Sequence, residues 1–166
     1  MRTRDRDAQF RDFYVYEAPR LRRVALMLTG DGERAADLAH DALIKTYVAW
    51  SRIRGDDPAP YARRVLVNLC RNAHRRRLVE MRKTPPAPSD VVDRSDDVAN
   101  AMQVAAALSV LSPIRRAVVL LRFYEDMTEA DIARLLDRPL NTVKSDLRRA
   151  LDKLRPMFED DVRETR

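Results

Sequence analysis

Apolar positions along the chain recur at helical rather than strand spacing, in blocks separated by polar or proline-rich breaks. From about Asp5 to Leu28, one side of a first helix carries Phe10, Phe13, Tyr14, Leu21, Val24, Ala25 and Leu28. Pro19 falls inside this pattern and predicts a kink or break near Glu17, because its ring removes a backbone donor. Thr29-Gly30-Asp31-Gly32 ends the block. A second helix is predicted from about Glu33 to Trp50, with Leu38, Ala39, Ala42, Leu43, Thr46, Ala49 and Trp50 on its core side. Its other face carries Asp37, His40, Asp41, Ile44, Lys45 and Val48. Aliphatic side chains beside acidic ones suit a protein-binding surface. The alternative is that Ile44 and Val48 meet another helix of the same lobe.

A polar loop, Ser51 to Pro60, precedes a third helix from Tyr61 to about Arg82. Ala62, Val65, Leu66, Leu69 and Ala73 form its buried stripe. Arg64, Asn68, Arg71 and Arg75 lie opposite, with Asn72 at the margin. Between Tyr61 and Lys83 there are eight Lys/Arg and one acid. A rigid cationic helix with interleaved asparagines suits phosphate contact and base reading; the alternative is a solvated basic face.

Thr84 to Ser95, with Pro85, Pro86 and Pro88, reads as a linker whose 12 residues span at most about 40 Å. Beyond it, Val98, Met102, Ala105, Ala106 and Leu108 suggest a helix. Pro113 opens the next, which runs to Tyr124 with Val118, Leu120 and Leu121 as core. Arg115, Arg116 and Arg122 are candidate phosphate contacts. Thr128 is placed as an N-cap for a short helix to Leu136, and Asp137 to Leu140 breaks it. A second helix then opens at Asn141-Thr142, with Val143, Leu147, Ala150, Leu151 and Leu154 on its apolar side. Ser145, Arg148, Arg149 and Asp152 point away from that stripe, and Thr142 and Lys144 flank it. Two short helices across a tight turn, the second basic, match the helix-turn-helix plan. An ordinary helical hairpin with a charged outer face is the competing reading.

Composition narrows the options. A chain of 166 residues with three glycines allows one all-α domain or two small helical lobes. A net charge of +6 favours a polyanionic partner. A single cysteine, Cys70, excludes an intramolecular disulfide and suggests a reducing, cytoplasmic setting. No apolar run reaches membrane-spanning length, so no membrane contact is expected. His40 and His74 lie far apart, and neither a glycine-rich phosphate loop nor a Ser/His/Asp arrangement is present. No metal, cofactor or catalytic activity is therefore expected.

The motifs also carry a resemblance. Leu111-Ser112-Pro113, the Arg116–Tyr124 block, Thr128–Ala133 and Asn141-Thr142-Val143-Lys144-Ser145 resemble region 4 of bacterial RNA polymerase sigma factors, within them the extracytoplasmic-function (ECF) group. Asp37–Leu43, Trp50, Pro60-Tyr61-Ala62 and Val65–Asn72 resemble region 2 of the same family. The resemblance implies an all-α fold of two small helical domains joined by a flexible linker, the second a helix-turn-helix. Residues 1–83 would be region 2, 84–97 the linker and 98–166 region 4. It implies that Asp37, His40, Asp41 and Ile44 meet the clamp helices of the polymerase largest subunit. Arg64, Asn68, Arg71, Asn72 and Arg75 would face the single-stranded minus-ten element as it opens, with the Ser51–Pro60 loop capturing a flipped base. Thr142, Lys144, Ser145, Arg148 and Arg149 would meet the minus-thirty-five duplex. Core RNA polymerase and promoter DNA are thus the implied partners. Group members are also commonly restrained by an anti-sigma factor, although no residue here identifies one.

Three positions depart from the family pattern. Glycine is usual where Asp137 and Asn141 stand, and a basic residue is usual at Asp146. An acid beside phosphates repels, so Asp146→Arg is expected to tighten minus-thirty-five binding. A stand-alone helix-turn-helix regulator remains the alternative function, and a helical decoy of polymerase a third.

Overall fold

Helix formation follows the apolar periodicity throughout a computed structural model that describes residues 3–53, 57–81 and 96–164. Helices α1 (Thr3–Thr29), α2 (Gly32–Ala49), α3 (Ala59–Met81), α4 (Asp96–Leu108), α5 (Pro113–Phe123), α6 (Glu129–Leu136) and α7 (Leu140–Glu164) account for nearly all of it, with one 3-10 turn at Trp50–Arg52. The described residues contain no strand. The chain divides into two compact units, Met1–Met102 and Gln103–Arg166. The predicted 84–97 linker lies almost wholly outside the described residues.

The first unit is a bundle of α1, α2 and α3. Leu21, Val24, Ala25 and Met27 from α1 meet Ala39, Ala42 and Leu43 from α2 and Ala62, Leu66 and Val67 from α3, all buried. One end is closed by aromatic rings: Phe10 lies 4.9 Å from Tyr47 and 5.2 Å from Trp50, edge to face. Thr46, fully buried, donates from Oγ1 to the Ala42 carbonyl at 2.7 Å, which satisfies its hydroxyl inside the core. Of the kink or break expected near Glu17, the break does not occur, and α1 runs through Pro19 as one helix. Val15 and Pro19 are both exposed, so the carbonyl that loses its donor faces water rather than the core. Glu17, the residue singled out for the break, is instead buried between Arg20 and Arg63, 4.0 Å from each.

Between α1 and α2 only Gly30 takes a positive φ, 67°. Asp31 caps α2, accepting the Arg34 N–H at 3.0 Å, and Gly32 is already helical. Pro60, expected in the loop, lies in the first turn of α3, where a missing N–H costs nothing. Asp57 receives the Ala59 N–H at 2.9 Å just before it.

The second unit is built on α5, α6 and α7. Val118, Leu121, Ile132 and Val143 are almost completely buried there, joined by Leu147, Ala150 and Leu154. Ala105 and Leu108 supply its α4 contribution, while the predicted Ala106 is exposed and Leu151 is 40% exposed. Thr128 caps α6 as expected, accepting the Asp131 N–H at 3.1 Å. At the other end Arg138 N–H reaches the Ala133 carbonyl at 2.9 Å and Asp137 N–H the Arg134 carbonyl at 3.4 Å. This closing pattern requires a left-handed residue, and Asp137 supplies it with φ 52° and ψ 54°. Helix α7 starts at Leu140, one residue before the predicted Asn141. The N–H groups of Thr142 and Val143 both turn back to the Pro139 carbonyl.

Candidate nucleic-acid and partner interfaces

Three helix faces stand out from the packing. On α3, the inward stripe of Ala62, Leu66 and Cys70 forces the opposite positions outward. Arg64, Asn68, Asn72 and Arg75 are exposed, as the spacing required, whereas Arg71 of the same row and Val65, Leu69 and Ala73 of the expected buried stripe are half-buried. Tyr61 extends this row by one turn and is 37% exposed. The sequence marks it as the helix start and as part of the region 2 resemblance but not as a site residue, although its spacing of three from Arg64 places it in line with the row. An exposed aromatic ending a cationic row offers a stacking surface for an unpaired base. The preceding loop is described only in part: Ser51 and Arg52 are exposed, Ile53 is half-buried, and residues 54–56 lie outside the described set.

On α2 the outer face is equally well resolved. Asp37, His40 and Asp41 are exposed, Ile44 is 47% and Val48 69% exposed, and Lys45 lies among them. The two aliphatics therefore do not pack within their own unit, which removes the alternative left open by the pattern. Cys70 is buried, and desolvation pushes its thiol up to about 12, leaving it un-ionised and unreactive at neutral pH.

In the second unit, α7 presents Lys144, Arg148 and Arg149 to solvent, with Thr142 and Ser145 half-buried. Ser145 donates from Oγ to the Thr142 carbonyl at 3.0 Å, so its hydroxyl is held against the helix. Asn141 is exposed within the first turn; among the described non-glycine residues, positive φ occurs at Asp126 and Asp137 only. The glycine usual at Asp137 answers a backbone need, whereas at Asn141 an ordinary helical residue suffices.

Asp146 overturns its expected role. It is 7% exposed and points inward, with Oδ1 accepting from Arg115 Nε at 3.3 Å and Oδ2 3.5 Å from Arg138 Nη2. It does not project toward a ligand, so Asp146→Arg would bury a like charge between two arginines rather than tighten DNA binding. Of the three arginines expected at phosphates, Arg116 is corrected. Arg116 is 9% exposed and donates to the Leu108 and Ser109 carbonyls at 3.2 and 3.4 Å, closing the end of α4. Burial pulls its guanidinium below its ordinary value, though not out of the charged form. Arg122 reaches Asp126 at 3.7 Å and the Met127 carbonyl at 3.4 Å. Arg115, tied to Asp146, and Arg122 both keep part of their side chains at the surface, 30% and 39% exposed.

Comparison with known proteins agrees with the order of these elements. Residues 13–78 match the family model for Sigma-70 region 2, and residues 101–154 the model for Sigma-70, region 4. An RNA polymerase sigma-E factor of Streptomyces avermitilis is 35% identical over 153 residues, covering 91% of this chain and 86% of that one. The ECF RNA polymerase sigma factor SigL of Mycobacterium tuberculosis is 31% identical over 163 residues, covering 92% and 90%. Among solved structures, the sigma factor RpoE from Bartonella quintana, crystallised with the anti-sigma factor NepR, superposes with a TM-score of 0.71 at 22% identity, covering 91% of this chain and 97% of that one. CnrH, in complex with the cytosolic domain of CnrY, gives 0.69 at 18% identity, with coverage of 93% and 90%. These two likenesses concern the fold.

Proposed function

This chain belongs to the sigma-70 family of RNA polymerase sigma factors, in its ECF group, and from that membership we propose how its surfaces divide the work of starting transcription. The acidic and aliphatic face of α2, with Asp37, His40, Asp41 and Ile44, docks on the clamp helices of core polymerase. The α3 row of Arg64, Asn68, Arg71, Asn72 and Arg75 takes the separated strand of the minus-ten element, and Tyr61 stacks against an unpaired base. Lys144, Arg148 and Arg149, flanked by Thr142 and Ser145, meet the minus-thirty-five duplex in its major groove.

One observation carries this reading: two cationic helix faces sit in two separate units, in the family's order. The physics requires both. Extruding a base from the stack costs a few kcal/mol, which binding of the displaced strand by a rigid cationic track offsets. Duplex recognition instead needs a helix that fits the major groove. The chain performs no bond chemistry in this scheme and works where polymerase works, in the cytoplasm; among the described residues no helix is long and apolar enough to cross a membrane. An anti-sigma protein is a natural further partner, since one structural neighbour, the sigma factor RpoE from Bartonella quintana, was solved bound to one. A stand-alone helix-turn-helix regulator would leave the outward faces of α2 and α3 without a task.

Reconstitution tests the reading. Purified chain is mixed with core polymerase, tested for co-purification, and assayed by run-off transcription on a random promoter library. Initiation that depends on both components, together with weak duplex binding by the chain alone, is the expected result. Tight, dimeric duplex binding by the isolated chain overturns it.

A further inference from the structure

We propose that Asp146 is a positioning residue for promoter binding, holding Arg115 and Arg138 beside the reading helix so that each guanidinium grips a phosphate of the duplex. This deepens the proposed function and rests on its placement of α7 in the major groove.

The observation is a buried carboxylate with two cationic partners from different elements. Arg115 comes from the first turn of α5 and Arg138 from the turn between α6 and α7, and both converge on one side chain of α7. The carboxylate side chain is 10% exposed, while each arginine side chain is 30% exposed. Anion inside and cations at the rim is the arrangement of a support, not of an isolated core ion pair. One negative charge against two positive leaves the cluster with a net charge of +1.

Each guanidinium carries five donors in a fixed fork; the carboxylate accepts a hydrogen bond from Arg115 Nε at 3.3 Å and holds Arg138 by a longer ion pair at 3.5 Å, its Oδ2 making no hydrogen bond. The remaining donors of both arginines are set by that tether instead of sampling many rotamers. A side chain already ordered loses less entropy when it meets a phosphate. Other arginines of the unit lack this arrangement. Arg116 is buried on carbonyl groups, and Arg122 pairs with Asp126, whose side chain is 99% exposed and anchors little. Because Arg138 belongs to the connection that leads into α7, the same tether also fixes where the reading helix starts relative to α5.

Simple repulsion and positioning predict opposite signs. Asp146→Asn raises the net charge by one, so repulsion alone predicts tighter promoter binding, whereas positioning predicts weaker binding. The quantitative test uses charge-conserving doubles, Asp146→Asn with Arg115→Gln and Asp146→Asn with Arg138→Gln. Holoenzyme reconstituted with each is titrated onto a promoter selected from the random library, over a range of salt. Loss of one phosphate contact lowers the slope of log affinity against log salt by about 0.9. The unmodified chain should therefore lose about 3.5-fold more affinity than either double variant between roughly 50 and 200 mM salt. Slopes equal to that of the unmodified chain overturn the proposal, since net charge is unchanged. If a double variant loses its helical circular dichroism, the single changes Arg115→Gln and Arg138→Gln, which leave Asp146 one partner, decide by the same slopes. Lys144→Ala and Arg148→Ala run alongside. If these weaken binding while the triad variants keep the full slope, only this inference fails; if neither set has an effect, the placement of α7 fails with it.

Discussion

Asp137 offers a sharp test of the rear unit because a single backbone angle sets its energetics. With φ 52° and ψ 54° it closes α6 in the left-handed region, and its side chain is exposed. A left-handed residue with a Cβ costs about 1–2 kcal/mol, less for aspartate than for most. Glycine removes that cost but gives back about 0.5–1 kcal/mol through the greater freedom of the unfolded chain. Asp137→Gly should thus stabilise the second unit by up to about 1 kcal/mol, and Asp137→Ala should destabilise it. For a unit of this size a gain of about 1 kcal/mol raises the midpoint by roughly 4–8 °C. Trp50, the chain's only tryptophan, sits in the first unit against Phe10 and Phe13, so its fluorescence reports that unit alone. Hydrogen exchange of the α6 and α7 amides reports the second. The expected result is slower exchange there in Asp137→Gly, faster exchange in Asp137→Ala, and an unmoved fluorescence transition in both. An alanine variant as stable as the glycine one would refute the argument from backbone angle.

Four further outcomes follow from named residues. Thr128→Ala removes the cap of α6 and should cost about 1 kcal/mol, read by the same exchange measurement. Asp131 is held below the usual carboxylate range, first by the Thr128 hydroxyl and then by Arg134; its contribution to α6 is therefore present above the unfolded value and lost only as pH falls below that range, visible as increased α6 exchange in acid once corrected for intrinsic rates. Cys70 should resist alkylation in the native chain at pH 8 and react only on unfolding; rapid native labelling would contradict its burial. Ile44→Asp, at an exposed position of α2, should leave the first unit's unfolding transition in place and weaken core polymerase binding at least about tenfold, measured by surface-immobilised polymerase.

Periodicity made the helices legible because burial here depends on which residues share a face. The α2 surface came out as the spacing required, down to exposed Ile44 and Val48, and the α3 row did so except at half-buried Arg71. Charge was harder to read, because an ion's partner is set through space. Asp146 and Arg115 are separated by 31 residues, and no local pattern shows that they meet. Arg116 looked like a surface arginine until the end of α4 supplied carbonyls for it to cap. Pro19 predicted a kink or break near Glu17; the helix continues through it on an exposed flank, where water can take the place of the missing bond. Asp137 could be flagged as a missing glycine, but only the backbone shows that it, and not Asn141, carries the left-handed conformation.

The division of labour between the two units is tested most directly by footprinting one promoter with holoenzyme carrying Asn68→Ala and Arg71→Ala. Nuclease protection maps the duplex contact upstream, and permanganate reactivity of thymines maps strand separation downstream. The account predicts that upstream protection persists while the downstream thymines lose their reactivity. Retained thymine reactivity with loss of upstream protection would contradict it.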